Sequence, residues 1–477
     1  MTDRANALVA ATCHAASPMH TRPGVWMGLW FSVAVLSVSC SSAHYSINAV
    51  LAETPSRPGY TVRNLAAPDN SDSLTLMLAL SGGGYRAAAM SYAVMEVLNE
   101  TVIHWEGQDR TLLQELDFVS AVSGGSLAAA HFAVHRDKFF EQFRPRVLEF
   151  DLQSSLWRAV LSPSGMWRQT SSTFGRGDLL QEVLDDHVFA GATYADLSRR
   201  RPMVLINATD MRSGDRFEFS QDQFDPLCSD LDKVPIARAV AASMAVPVAL
   251  SPVTFWNHQK HCPVTAAPRP GHGKTVASSY VHLLDGGLSD NTGVRTAVEN
   301  IAARGGLMHS TRLTGFSGVR KRVFIVVNAQ ANPEDPGDES PSTPGLLRQL
   351  RSAVDVPIDH HSRGSLELLG EALVHWKEEL RLAPDKAFSD DLISRSADFR
   401  VIEVSIMKAR KTALSDAVKA VPTAMRISAA DVDLIRRFVR SELAANPGWQ
   451  ALLRELQADG TGLRQLVLTG ASVGDAP

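Results

Sequence analysis

Residues 116–135 read Leu-Asp-Phe-Val-Ser-Ala-Val-Ser-Gly-Gly-Ser-Leu-Ala-Ala-Ala-His-Phe-Ala-Val-His. The first seven, Leu116–Val122, have the short apolar pattern of a buried strand, and Ser126–His135, rich in alanine, reads as a helix. Between them stand Ser123, Gly124 and Gly125. A sharp strand-to-helix turn at a serine lifts its hydroxyl out of the sheet, the arrangement of a nucleophile elbow. Small residues on both sides are needed because strand and helix backbones pass close together. Ala121 stands where the G-x-S-x-G pattern has its first glycine; it is small, but it cannot relieve strain at positive φ as glycine can. An ordinary βα turn, with Ser126 capping the helix, fits the same residues.

The same strand–turn–helix pattern occurs upstream. Leu74–Leu80 is LTLMLAL, Ser81–Arg86 is SGGGYR, and Tyr85–Glu100 is helical in period. Three consecutive glycines cost backbone entropy, so a reason for Gly82, Gly83 and Gly84 is expected. Their N–H groups can converge on an anion at a helix N-terminus. That anion is either the oxyanion of an acyl-transfer intermediate or a nucleotide phosphate; a tight turn against a neighbouring strand is the alternative. No lysine follows at Walker spacing and no G-x-G-x-x-G is present, which counts against the nucleotide. Arg86 lies in the first helical turn, where a cation opposes the helix dipole. This points to a ligand role, such as a substrate phosphate.

Further strands are expected at Met203–Ala208, Tyr280–Leu284 and Arg322–Asn328. Strands separated by helices give an α/β architecture with a mostly parallel sheet. The strand at 280–284 runs into Asp285-Gly286-Gly287-Leu288-Ser289-Asp290-Asn291. A carboxylate at a strand end before two glycines is placed to face a cleft. Its unperturbed pKa of about 3.9 is low for a base, and partial burial would raise it. An Asp-Gly turn without chemistry is the alternative. The histidines after Asp285 are His309, His360, His361 and His375, none in a recognisable strand-end turn; His360 and His361 read as a solvated loop. A Ser123–Asp285 dyad without histidine is therefore favoured over a triad.

The chain has 477 residues, 45% hydrophobic, with formal net charge -4 and no long block of like charge. Nothing in that balance suits nucleic acid. The four cysteines, Cys13, Cys40, Cys228 and Cys262, form no CxxC pair, so neither a metal site nor another cofactor is expected. Arg22 precedes an uncharged apolar run, Gly24–Val38, too short to span a bilayer as a helix. Residues 1–39 read as a signal peptide, with Met19 an alternative start. Leu36-Ser37-Val38-Ser39-Cys40 resembles a bacterial lipobox with Ser37 in place of leucine, making Cys40 the lipidation site. A soluble signal or an uncleaved anchor is the alternative. The location implied is the bacterial cell envelope, as a membrane-anchored lipoprotein or a secreted protein. Cys228 and Cys262 then remain, either as a disulfide or as two buried thiols.

Residues 40–73 read as a tether and 74–328 as the catalytic domain. Residues 329–345, rich in Pro and acid, read as a linker loop. Residues 346–477 read as a mainly helical region packing on the catalytic domain, with helices at Leu346–Val354, Ser365–Leu380 and Ala429–Ala445 and an edge strand at Phe399–Ile406.

Together these blocks resemble the patatin-like phospholipases, in their bacterial lipoprotein-like branch. The S-G-G-G-Y-R run, the S-G-G turn at Ser123 and the D-G-G turn at Asp285 occur in family order, each after a strand. The likeness extends to Asn207-Ala208-Thr209-Asp210, Ala241-Ala242-Ser243 and Val421-Pro422-Thr423. It implies a three-layer α/β/α fold with a mostly parallel sheet and a helical C-terminal appendage. Ser123 is then the nucleophile, Asp285 the base, and the N–H groups of Gly82, Gly83 and Gly84 the oxyanion hole. Arg86 would meet the lipid phosphate. The implied substrate is a phospholipid or other acyl ester at a membrane surface. A general carboxylesterase or thioesterase is the rival enzyme, and an inactive lipid-binding envelope protein the rival of another class.

Overall fold

The computed structural model describes residues 41–52, 58–67, 70–262, 278–331, 343 and 345–457. The signal peptide, Cys40 and most of the 329–345 loop lie outside these. No helix among the described residues is long and apolar enough to cross a membrane.

Among the described residues ten strands are formed: β1 (Leu74–Leu80), β2 (Val102–Trp105), β3 (Gln108–Thr111), β4 (Leu116–Val122), β5 (Met203–Asp210), β6 (Arg216–Glu218), β7 (Val253–Trp256), β8 (Tyr280–Asp285), β9 (Val319–Asn328) and β10 (Ile393–Ser405). β2 and β3 make a separate hairpin. The main sheet has the order β10-β9-β1-β4-β5-β8-β7, with β6 added on β5. β10, β9, β1, β4 and β5 run parallel, and β8, β7 and β6 pair antiparallel with their neighbours. Every residue of β1 is buried, which is why its sequence is continuously apolar rather than alternating.

The helices that position the site are α1 (Gly84–Glu100), α2 (Gly124–His135), α3 (Leu152–Leu161), α4 (Pro163–Arg168), α5 (Arg176–Leu184), α6 (Ile236–Ser243), α7 (Gly287–Asp290), α8 (Arg295–Ala303), α9 (Leu307–Thr314) and α10 (Leu346–Leu382). After β10 come α11 (Ala413–Lys419), α12 (Ala429–Ala445) and α13 (Pro447–Glu455). β1 and β4 lead directly into α1 and α2, so the two small-residue turns sit side by side at the C-terminal ends of central parallel strands. That is where open α/β sheets bind ligands.

The C-terminal region is mainly helical, as expected, and its expected edge strand is present: β10 pairs along β9 from Asp398↔Lys321 to Ser405↔Asn328 and completes the same sheet. α12 is tied to α1 by Arg436–Glu96 and Arg440–Glu100 ion pairs. The two helices expected within 346–380 are one helix of 37 residues running through Pro357. Proline removes one hydrogen bond, but Ser362, Ser365, Leu369, Trp376 and Leu380 form a buried stripe at helical spacing, and their packing carries the helix past it. His361 is therefore helical, not in a loop, and its Nδ1–H donates to the Leu288 carbonyl. Lastly, the segment expected as a tether lies along the body. Asn48 bonds Ser229 and the Trp256 carbonyl, Val50 bridges Ser229, and Tyr60 is fully buried with its hydroxyl accepting from the Val204 N–H.

Cys228 and Cys262 are joined as a disulfide.

Candidate active site

Ser123 has φ 47 and ψ -119 between β4 and α2. A non-glycine residue at positive φ is strained, and such strain persists only where the surroundings over-determine it. Here the strain falls on the serine itself, while Ala121 lies in regular strand, paired with Leu80 on one side and Ile206 on the other. Alanine at 121 thus meets no conformational demand it cannot satisfy. Two further contacts fix the turn. The Ser123 N–H donates to Ser243 Oγ at 2.8 Å, and Ser243 Oγ donates to the Asn207 carbonyl at 2.6 Å. A Cβ on Gly124 would collide with the Gly84 backbone, and one on Gly125 would lie 2.7 Å from the Ser81 carbonyl oxygen. The glycines after Ser123 are thus required by the glycine run beside them.

Ser123 Oγ donates to Asp285 Oδ2 at 2.8 Å. The other carboxylate oxygen, Oδ1, accepts from the Gly287 N–H at 2.8 Å. Asp285 ends β8; its own N–H donates to the Ala245 carbonyl and its carbonyl accepts from Thr209 Oγ1. Asp285 is 3% exposed. Burial pushes its carboxyl up to about 6, against the opposing hydrogen bonds from the Gly287 N–H and Ser123. A carboxylate at that value is ionised at neutral pH yet basic enough to take a proton. Among the described residues no histidine hydrogen-bonds to either side chain.

The glycine run divides. The Gly82 N–H donates to the Asn291 carbonyl at 2.9 Å, so Gly82 is not available to an oxyanion. This corrects the three-glycine expectation: the Gly82 N–H is taken up by the turn after Asp285. Gly83 (φ 134) and Gly84 (φ 61) turn the chain into α1, and among the described residues their N–H groups have no partner. α1 and α2 thus begin side by side, with the N-terminal ends of both macrodipoles near Ser123.

Arg86 is also reassigned. It is buried, Nε donates to the Ala329 carbonyl at 3.0 Å, and Nη1 donates to the Val421 carbonyl at 2.6 Å. Desolvation pulls its pKa down to about 10. It ties the end of β9 to the chain after α11, rather than reaching a substrate phosphate.

Sequence reasoning missed four contributors. Asn291 sits with its side-chain oxygen against Gly82 and its amide on Ser362 Oγ at 3.2 Å. Ser243 holds the turn. Ala424 accepts the Tyr85 N–H and would lie 2.5 Å from a Cβ on Gly84. Ile358 of α10 lies 3.5 Å from a Cβ position on Gly287. Two of them carried a signal: Asn291 through its place in the aspartate turn, and Ser243 through the Ala241-Ala242-Ser243 block. A cavity of about 820 Å³ at the opposite end of the sheet holds none of these residues, and its Arg320 and Arg395 are paired to Glu106 and Asp385.

Residues 78–298 match the family described as patatin-like phospholipase, and the chain carries a patatin-like phospholipase domain over that stretch. Solved structures that resemble the chain include human GIVD cytosolic phospholipase A2, at 13% identity and a TM-score of 0.39, covering 82% of this chain and 61% of that one. The same human enzyme in complex with methyl gamma-linolenyl fluorophosphonate aligns at 12% identity and a TM-score of 0.39, over 82% of this chain and 60% of that one. VipD from Legionella pneumophila aligns at 13% identity and a TM-score of 0.22, over 86% and 73%. The chain spans about three-fifths of the human enzyme's length. No curated protein matches it.

Proposed function

We propose that this protein is a serine acyl hydrolase that cleaves fatty-acyl esters of phospholipids through Ser123 and Asp285. The observation that carries the reading is the 2.8 Å Ser123–Asp285 hydrogen bond, made from a strained turn to a buried carboxylate. Asp285 takes the Ser123 proton as Oγ attacks the ester carbonyl. The N–H groups of Gly83 and Gly84 receive the oxyanion, a contribution worth on the order of 3 kcal/mol per donor. Collapse of the tetrahedral intermediate expels the lyso-lipid alcohol, which takes the proton from Asp285. Water, deprotonated by Asp285, then attacks the acyl-enzyme and releases the fatty acid, restoring Ser123.

The phospholipid substrate is supported by the domain. It is no longer supported by Arg86, whose bonds go to backbone carbonyls. A neutral acyl ester therefore stands as the second reading. Lipid mass spectrometry of products from mixed phospholipids and neutral acylglycerols tests both. Free fatty acid and lyso-phospholipid from wild type but not from Ser123→Ala are expected; release from acylglycerol alone would transfer the assignment to the second reading.

We also place the protein at the bacterial cell envelope, with Cys40 lipidated, on the strength of its leader. Radioactive palmitate should label the wild type, and unchanged labelling of Cys40→Ser would contradict this.

A further inference from the structure

α3 buries Leu152, Leu156 and Val160 against the body, and its outer face mixes Ser154 and Arg158 with large apolar side chains. Trp157 is 49% exposed and Leu161, one turn on, 63%. After Ser162 the chain turns into α4, where Met166 is 53% and Trp167 49% exposed. The corner is tight: a Cβ on Gly165 would collide with the Ala159 carbonyl, and Gln169 Nε2 donates to the Val160 carbonyl at 3.0 Å. Two tryptophans, a leucine and a methionine thus project from consecutive, mutually packed helices. Contiguous apolar groups of this size on a water-facing surface mark a docking site.

Charge indicates what docks. Residues 152–177 contain Arg158, Arg168 and Arg176 and no Asp or Glu, in a chain of net charge -4; Arg168 is ion-paired to Glu182, which leaves Arg158 and Arg176 to carry the positive charge of this stretch. Arg158 is exposed on the same turn as Trp157. Tryptophan and leucine flanked by arginine is the composition of a surface that enters the headgroup region of an anionic bilayer. A second copy of this chain fits less well, because in a two-fold dimer the patch meets itself and brings the positive charges of both copies into one interface. The location also suits. The Gln153 N–H at the start of α3 donates to the Met425 carbonyl, and the adjacent Ala424 contacts Gly84 of the glycine run.

We propose that the α3–α4 corner is the surface by which the protein sits on an anionic phospholipid bilayer, with Trp157, Leu161, Met166 and Trp167 entering the headgroup layer and Arg158 meeting lipid phosphates. This rests on the acyl-hydrolase reading only for its purpose; binding can be measured without turnover.

The test uses the full chain with Cys40→Ser, so that no acyl anchor contributes, and with Ser123→Ala in the binding arm. Sedimentation with phosphatidylglycerol–phosphatidylethanolamine vesicles is compared between this background and the same chain carrying Trp157→Ala and Trp167→Ala. Loss of at least about tenfold in vesicle affinity is expected for the patch variant. Weaker binding to phosphatidylcholine vesicles and at high salt is expected for the parent. In the Ser123-containing background, hydrolysis of a dissolved short-chain p-nitrophenyl ester should be unchanged by the patch substitutions while vesicle hydrolysis falls. Equal vesicle binding with and without the tryptophans would overturn the proposal, as would an equal fall in soluble-ester activity. A parent dimer that becomes monomeric in the patch variant, without lipid, would also overturn it. Patch-dependent binding by a chain that hydrolyses neither substrate would support the docking surface and refute the acyl-hydrolase reading instead.

Discussion

Replacing Asp285 by Asn should abolish turnover and at the same time make stability less dependent on pH. The Asp285 carboxyl is raised from 3.8 to about 6 because it is buried. A carboxyl whose folded pKa lies above its unfolded value holds its proton more tightly in the folded chain. Its contribution is therefore most favourable below pH 3.8 and becomes less so as pH rises to about 6, then levels off. At 1.36 kcal/mol per unit, ionising Asp285 in the fold costs about 3 kcal/mol, of which about 2 kcal/mol accrues between roughly pH 4.5 and 7.5. Asparagine is nearly isosteric, can still accept from the Gly287 N–H, and does not titrate. Urea unfolding of wild type and Asp285→Asn across that range should therefore show the variant gaining about 2 kcal/mol relative to wild type as pH rises. Ser123→Ala should retain a wild-type-like slope, since the carboxylate stays buried. Parallel wild-type and Asp285→Asn curves would refute the reasoning, because they would mean that Asp285 titrates as a solvated group.

Three further outcomes follow from the same geometry. The pH profile of kcat/KM should lose activity as pH falls through about 6, where Asp285 takes up its proton and ceases to be a base; a limb near pH 4 would exclude it as the buried base. Gly124→Ala should inactivate the enzyme and lower stability by about 1–3 kcal/mol, read by unfolding and ester hydrolysis, because the new Cβ collides with the Gly84 backbone. Arg86→Met should destabilise by about 2–4 kcal/mol through the stranded Ala329 and Val421 carbonyls, without changing the ratio of anionic to neutral lipid cleaved; a selective loss on anionic lipid would restore a phosphate role to Arg86.

The sequence made the central strands and both turns legible for one physical reason. β1 and β4 are buried in a parallel sheet, so their residues are apolar or small except Asp117, whose carboxylate accepts from the Leu76 N–H and from Arg201, and the tight turns after them demand small residues. Ser123 stood at the end of such a strand and Asp285 at the end of the alternating, antiparallel β8, each before glycines, and both could be singled out before their contact was seen. What stayed hidden depended on partners far along the chain. Arg86 finds its acceptors 243 and 335 residues away, and nothing in its local helix turn announces them. The Gly82 N–H is withdrawn by Asn291, which no spacing rule places there. The length of α10 is decided by a buried stripe against the body, whereas the local pattern gave two helices, Leu346–Val354 and Ser365–Leu380, with Pro357 and Gly364 in the interval between them. Gly124 illustrates the intermediate case: its smallness was visible, but the backbone it must admit was not.

Covalent labelling measures directly whether Ser123 is an activated nucleophile. A fluorophosphonate probe incubated with purified wild type, followed by peptide mass spectrometry, should place one adduct on Ser123. No adduct should form with Ser123→Ala, and labelling of Asp285→Asn should be slowed severely. A folded wild type that stays unlabelled, or whose adduct sits on another serine, would contradict the account.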